Sequence, residues 1–315
     1  MAHGLTQMEI YFANGMRVDC QGAAANEGAL SFQQQSSPQA SQAISSCLGI
    51  DFNDRALQYG DGVFETMRIF NGQIPMWEFH QQRLLAAQQA LGLPIDEFLQ
   101  QWDEFQSKHL SSIDNACIKL LISRGIGPRG YAAPKDIKLN WWLKIMALPE
   151  SVTDSVAGTA ANKLYNVTLC QHALSRQPAL AGLKHLNRLD QVVARSEWGA
   201  QQGFDEGIMF NIDGDIIEGT MSNIFWLKDG QLNTPDLSQE GVDGCVRRWL
   251  IKHYSDALTV NIVKDAKLDQ LLTADGVFLT NSLIGIQKVG YIDGQSIAQC
   301  DQVDDLAKAF NQQYV

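Results

Sequence analysis

Two segments, ACIKLLISR (116–124) and LNWWLKIMAL (139–148), are nearly all apolar at their centres, and they limit the possible folds more than any other stretch of the chain. A strand with two apolar faces cannot lie open to water, so these runs predict a covered sheet. The cover stands immediately upstream. Phe79, Leu84, Ala87 and Leu91 recur near the 3.6-residue period and predict a helix over about Trp77–Ala90, and PIDEFLQQWDEFQSKHL (94–110) predicts a second amphipathic helix. Before them, VFETMRIF (63–70), Asn71-Gly72 and QIPM (73–76) read as a β-hairpin closed by a tight turn. The first part of the chain is therefore expected to be a sheet with helices packed on it.

A first strand is expected around Met8–Asn14. After it, Gln21–Ser46 is rich in Gln, Ser and Ala, has few large apolar residues to bury, and reads as a flexible insertion or surface loop. Hydrophobic periodicity is lost over Pro149–Asn162, which places a boundary between an N-terminal α/β domain, residues 1–150, and a second domain, residues 151–315. In the second domain we expect a strand near Leu164–Cys170 and a helix over Leu189–Gln202, with Asn187 and Asp190 as a capping pair. Hairpins follow, turning at Asp213-Gly214 and Asp229-Gly230. Then come a helix over Val246–Tyr254, a strand near Val260, a short helix over Leu268–Leu272, the strand VFLTN (277–281) and a terminal helix. No internal repeat is visible.

Composition narrows the function. A chain of 315 residues is long enough for two domains at about 150 residues each. Its formal net charge of −11 lacks the basic surface that nucleic-acid binding needs, although a local basic pocket remains open. No apolar run approaches the roughly 20 residues of a membrane span, and the start lacks the basic-then-apolar order of a secretory signal, so a soluble, cytoplasmic protein is expected. Cys20, Cys47, Cys117, Cys170, Cys245 and Cys300 are scattered and read as thiols. The six histidines form no metal-ligand pattern, and no metal site is expected.

Gly125-Ile-Gly127-Pro-Arg-Gly130 satisfies G-x-G-x-x-G directly after a strand, yet it does not read as a dinucleotide site. That fingerprint needs a helix opening at the glycines, whereas Pro128, Pro134 and a further strand follow here. The loop reads as a turn. A second reading keeps Arg124 and Arg129 as two guanidinium groups able to clamp carboxylates.

The polar residues of interest lie in separate segments, and a resemblance joins them. DRALQYGDGVFETMRIF (54–70), HQQRL (80–84), SRGIGPRGY (123–131), AGLKHLNRLDQV (181–192), DGDIIEGTMSNIFW (213–226), GVDGCVRRW (241–249) and FLTNSLIGIQKV (278–289) resemble, in order, blocks of the fold type IV pyridoxal-phosphate enzymes. That group holds the branched-chain and D-amino acid aminotransferases and the aminodeoxychorismate lyases. RGxGxRGY together with LKHLNRL is most similar to the lyases, and Phe64, where D-amino acid aminotransferases carry Tyr, leans the same way.

The resemblance implies an α+β fold, with an N-terminal α/β sandwich, a C-terminal β-barrel-like domain and the cofactor in the cleft between them. It implies pyridoxal 5′-phosphate as cofactor, Lys184 as the catalytic Schiff-base lysine, and Glu218 as the carboxylate facing the ring nitrogen. For the phosphate it implies Arg83, the backbone amides of Cys245 and Val246, which a helix N-terminus would present without a special side chain, and Ser282. Relatives often carry a polar residue where Cys245 and Val246 stand. Arg124, Arg129, Tyr131 and Asn281 are candidate substrate contacts, and His185 and Arg188 face either the site or a helix surface. The implied reaction is conversion of 4-amino-4-deoxychorismate to 4-aminobenzoate and pyruvate by a cytoplasmic homodimer. The alternatives are an aminotransferase on the same fold and a non-catalytic binding relative. The intact Lys184 and Glu218 speak against the second.

Overall fold

The apolar runs do become the middle of a sheet. In the computed structural model, which describes residues 10–17, 50–148, 163–254 and 259–312, strand β4 (Asn115–Ser123) lies between β5 (Asn140–Met146) and β3 (Gly62–Phe70). With β1 (Ile10–Ala13) and β2 (Met16–Arg17) the order is β2-β1-β5-β4-β3, and every pairing is antiparallel. Helix α1 (Arg55–Tyr59) precedes β3, and α2 (Trp77–Leu91) and α3 (Ile95–His109) follow it. Helix α3 buries Ile95, Phe98, Trp102 and Phe105, spaced three or four apart along one face. Phe98 and Phe105 meet Trp141 of β5 edge-on at ring distances of 5.5 and 5.2 Å. The other face is less covered. Lys119 and Lys144 stand over the rings of Phe64 and Tyr11, so their stems shield the sheet while the charges stay near water.

The chain divides into two compact units, Met1–Pro75 with Ala87–Leu148 and His185–Asn187, and Met76–Ala86 with Pro149–Lys184 and Arg188–Val315. The second unit contains a larger sheet. It is built from β6 (Tyr165–Leu169), β7 (Glu206–Phe210), β8 (Ile216–Gly219), β9 (Asn223–Lys228), β10 (Gln231–Pro235), β11 (Val260–Val263), β12 (Gly276–Asn281), β13 (Gly285–Ile292) and β14 (Gln295–Ser296). Its order is β11-β10-β9-β12-β13-β6-β7-β8, with β14 on β13. Ile216 of β8 donates to the carbonyl of Ala266, three residues beyond β11, at 2.7 Å, so the two ends of this path meet and the sheet curls like a barrel. Val167, Ile208, Ile216, Ile224, Trp226, Val277, Leu279 and Val289 fill its core. Helices α4 (Leu189–Arg195), α5 (Cys245–Tyr254), α6 (Leu268–Leu272) and α7 (Asp301–Asn311) complete the unit. Among the described residues, no helix is long and apolar enough to cross a membrane.

Several expectations change. Asn71 and Gly72 do form the tight turn, with φ of 49° and 74°, but QIPM adds only a single bridge, Phe70 to Gln73, before the chain turns into α2 at Trp77. Helix α4 stops at Arg195, short of Gln202, and the remainder is a separate 3-10 turn at Ala200–Gln202. Its N-cap is Arg188 rather than Asn187. Asn187 donates instead to the Gly60 carbonyl at 3.0 Å, while Asp190 accepts from His172. Strand β13 was not expected, because GIQKVGYI mixes glycines and polar residues into its apolar pattern. The expected insertion at 21–46 and the boundary at 149–162 lie outside the described residues.

The 125–130 loop is a built turn. A Cβ on Gly125, whose φ is +85°, would fall 2.0 Å from the Lys138 carbonyl oxygen, and one on Gly127 would fall 2.8 Å from Arg55 Cδ. Arg55 donates to the carbonyls of Gly130, Tyr131 and Ala132, and both Arg55 Nε and Arg124 Nε reach Asp61 Oδ2 at 2.7 Å. Burial pushes Asp61 upward, but the hydrogen bonds and charges of Arg124 and Arg55 outweigh it and hold the carboxyl below its usual value. A carboxyl depressed in this way stabilises the fold above its unfolded value and loses that contribution as pH falls through the folded one. Asp61→Asn strands two buried guanidinium groups. Urea unfolding at neutral pH should show a loss of about 3 kcal/mol, and the variant should lose less stability than wild type on acidification.

Candidate active site

Four residues, Gly241 to Gly244, tie the site together. Val242 donates its N–H to Glu218 Oε2 at 2.8 Å. Gly182 donates to the Gly241 carbonyl at 2.9 Å and accepts from Asp243 N–H at 3.1 Å, which zips this loop to the segment that ends in Lys184. Asn223 grips it from the other side, donating to the Val242 carbonyl at 2.8 Å and accepting from Gly244 N–H at 3.1 Å. Arg83 Nη1 reaches the Asp243 carbonyl at 3.2 Å. Helix α5 begins at the next residue, Cys245.

The glycines are required by this closeness. A Cβ on Gly244 would sit 2.1 Å from Asn223 Oδ1, and Gly182 and Gly241 hold φ of +79° and +83°. Asp243 accepts from Arg247 Nη1 and Arg248 Nε, each at 2.7 Å, so the arginines opening α5 are neutralised on the spot.

Glu218, at the end of β8, is 4% exposed. Burial pushes its carboxyl up to about 7, against the opposing pull of Val242 N–H, the charges of Arg188 and Lys184, and the Gln191 carboxamide. Arg188 feels the same surroundings in reverse. Burial draws its guanidinium below the usual value, Glu218 and Asp190 oppose that, and the Arg83 charge adds to it. The structure thus brings Lys184, Arg83, Arg188 and Glu218 into one electrostatic neighbourhood next to the N-terminus of α5.

Cys245 and Val246 are buried at that N-terminus, where the helix presents first-turn amides and its positive dipole end. Ser282 follows β12, whose Thr280 is opposite Asn223 in register, so it lies at the same end of the sheet. The remaining candidates are placed otherwise. Asn281 closes its own turn, accepting from Leu283 and Ile284 N–H at 2.9 Å each and donating to the Met221 carbonyl. Arg124 is buried in the first unit, with its donors taken by Asp61 and the carbonyls of Leu91 and Gly92, so it braces the loop and does not reach out as a clamp. Arg129 and Tyr131 are exposed on that loop. The backbone of His185 bridges Val63, beside the Leu186 N–H bond to the Gly62 carbonyl.

Sequence reasoning missed Asn223, Gln191 and Glu206. Glu206 is buried at 3% exposure and accepts from the N–H groups of Gly207, Thr220 and Met221 and the hydroxyls of Thr220 and Ser222. It thereby shapes the turn between Glu218 and Asn223. A Glu in DEGIMF carries no mark of this, since apart from the adjacent Gly207 its partners lie 14 to 16 residues away.

A buried carboxylate beside a lysine, a buried arginine, and a helix N-terminus approached through glycines make a donor set that fits a cofactor with a basic ring nitrogen and an anionic phosphate. The model of the Amino-transferase class IV family matches residues 62–292. This chain belongs to that family. It is 34% identical over 250 residues to the aminodeoxychorismate lyase of Vibrio harveyi, a match spanning 77% of this chain and 87% of that one. It is 28% identical over 258 residues to the D-alanine aminotransferase of Listeria monocytogenes, spanning 79% and 84%. Among solved structures, the 4-amino-4-deoxychorismate lyase from Pseudomonas aeruginosa superposes with a TM-score of 0.78 at 29% identity, over 96% of this chain and 98% of that one. The fold is therefore the type IV fold of the family.

Glu218 carries a pH signature. A carboxyl held near 7 in the fold against 4.5 outside it binds more protons in the native state. Its contribution to stability is full below about pH 4.5 and is lost as pH rises through about 7. In cofactor-free protein, Glu218→Gln should flatten the stability curve over that window, as followed by chemical denaturation at a series of pH values.

Proposed function

We propose that this protein is a pyridoxal-phosphate-dependent lyase that converts 4-amino-4-deoxychorismate to 4-aminobenzoate and pyruvate, a step toward folate. The observation that carries the reading is the joining of Lys184, Glu218, Arg83 and the start of α5 through one four-residue loop, in a chain whose relatives include aminodeoxychorismate lyases.

Arg83, the amides of Cys245 and Val246, and the Ser282 hydroxyl would hold the phosphate, a group of about −1.5 to −2 charges that suits an arginine and a helix N-terminus. Glu218 would hold a proton at the ring nitrogen. Bound there, pyridoxal phosphate supplies a cationic ring that accepts electrons from a carbon losing its proton. The Lys184 Nζ takes the proton from the amine-bearing carbon of the substrate and, as the conjugate acid, returns one to the departing methylene. Expulsion of the enolpyruvyl group as pyruvate leaves an aromatic ring, which drives the elimination. Arg129 and Tyr131, exposed on the 125–130 turn and its flank, are the side chains we assign to the substrate carboxylates.

We assign the protein to the cytoplasm as a homodimer. In support of the dimer, α4 turns Leu189 and Val192 outward at 77% and 56% exposure, an apolar face that a second chain would shield.

Purified protein given aminodeoxychorismate alone should release pyruvate and 4-aminobenzoate in equal amounts. A requirement for an added 2-oxo acid, with the amino group recovered on it, would instead make the protein an aminotransferase. Lys184→Ala should lower kcat by about a thousandfold or more. Borohydride should add the mass of the cofactor to the Lys184 peptide of wild type and to no peptide of the variant.

A further inference from the structure

Helix α4 begins against the ordinary preferences. Its N-cap, Arg188, makes no side-chain cap and sets a cation at the positive end of the helix, while Leu189 beside it is exposed. Local breaches of this kind are retained where something else is gained. Here the turn gains a hold on the site. Arg188 Nη2 donates to the Leu183 carbonyl, immediately before Lys184, at 3.2 Å. One turn on, Gln191 Nε2 donates to Glu218 Oε1 at 3.4 Å, while Val242 N–H occupies the other carboxyl oxygen.

The groups that face Glu218 are thus Arg188 and Gln191 at the start of α4, Val242 of the 241–244 loop, and Lys184. Their effects differ in kind. The charges of Arg188 and Lys184 act on the carboxylate whatever its rotation, whereas the two hydrogen bonds, one on each oxygen, fix the plane of the group and favour its ionised form. One of these donors is backbone. The other is a single half-buried side chain.

We propose that Gln191 is a positioning residue: its carboxamide orients the Glu218 carboxylate and favours its ionised form, and so sets how firmly the site holds the ring-nitrogen proton of bound cofactor. The proposal rests on Glu218 being the ring-nitrogen partner, the reading given above.

Gln191→Met tests it, because Met keeps the length and helix preference of Gln and removes the donor. In cofactor-free protein, the Glu218 carboxyl is titrated by carbon-13 NMR and assigned with Glu218→Gln. The midpoint should rise by about 0.5–1 unit in the Met variant, and further in Gln191→Glu, which sets a second carboxyl against the first. In the holoenzyme, the activity–pH profile should move upward with it, and the Kd for pyridoxal phosphate should rise about three- to tenfold, the same shift read as an equilibrium constant. A lowered Tm with the Glu218 midpoint unmoved in both variants would mean a purely structural glutamine and overturn the proposal. A shifted midpoint in protein that takes up no pyridoxal phosphate would uphold the contact but overturn its role toward the ring nitrogen, and that outcome would trace to the cofactor reading rather than to Gln191.

Discussion

The Val242 N–H that meets Glu218 at 2.8 Å links the end of a buried strand to a loop that has no regular structure of its own. A carboxyl with 4% exposure is costly to keep charged, and a short loop of Gly-Val-Asp-Gly is costly to keep ordered. Each offsets the other. The loop supplies a donor to the acid, and the acid with Asn223 gives the loop its shape, so α5 starts at a defined place with its amides pointed in a defined direction. Removing either partner would release Gly182, Arg83 and Cys245 from their common reference point.

Behind this contact stands a second layer of buried carboxylates. Glu206 gathers five neutral donors, three amides and two hydroxyls, around a buried carboxylate, and the turn it shapes separates Glu218 from Asn223 by only the residues 219–222. Asp61 plays a comparable part in the first unit, where two arginines converge on one carboxylate and secure the 125–130 turn. The two anchors use opposite chemistry, neutral hydrogen bonds in one and ion pairs in the other. Both place the cost of burial outside the residues that would meet a ligand.

Much of the fold could be read from local pattern. The helices α2 and α3, the strand β4 and the turns at Asn71-Gly72 and Asp229-Gly230 follow from periodicity and from residues that accept positive φ. Strand β13 could not be read, because it is stabilised by β12 and β6 on either side and tolerates glycines that weaken its own pattern. The capping pair at Asn187 failed for the same reason: a distant carbonyl, that of Gly60, competes for the carboxamide. Asn281 and Arg124 show the reverse case, polar side chains that look available in sequence and are taken up by their own turns and loops.

By itself the sequence determined which residues can form strands and helices, and, through seven blocks in family order, which lysine, glutamate and arginine to compare. Those are properties of short segments, where propensity and spacing act without help from the rest of the chain. Only the tertiary structure decided that Glu218 is buried beside Lys184, that Gln191 and Val242 donate to it, that Asn223 and Glu206 shape the loop and turn around it, and that Arg124 is a brace. Burial and hydrogen-bond partnership depend on residues far apart along the chain, and no local pattern encodes which of several polar groups will lose its water.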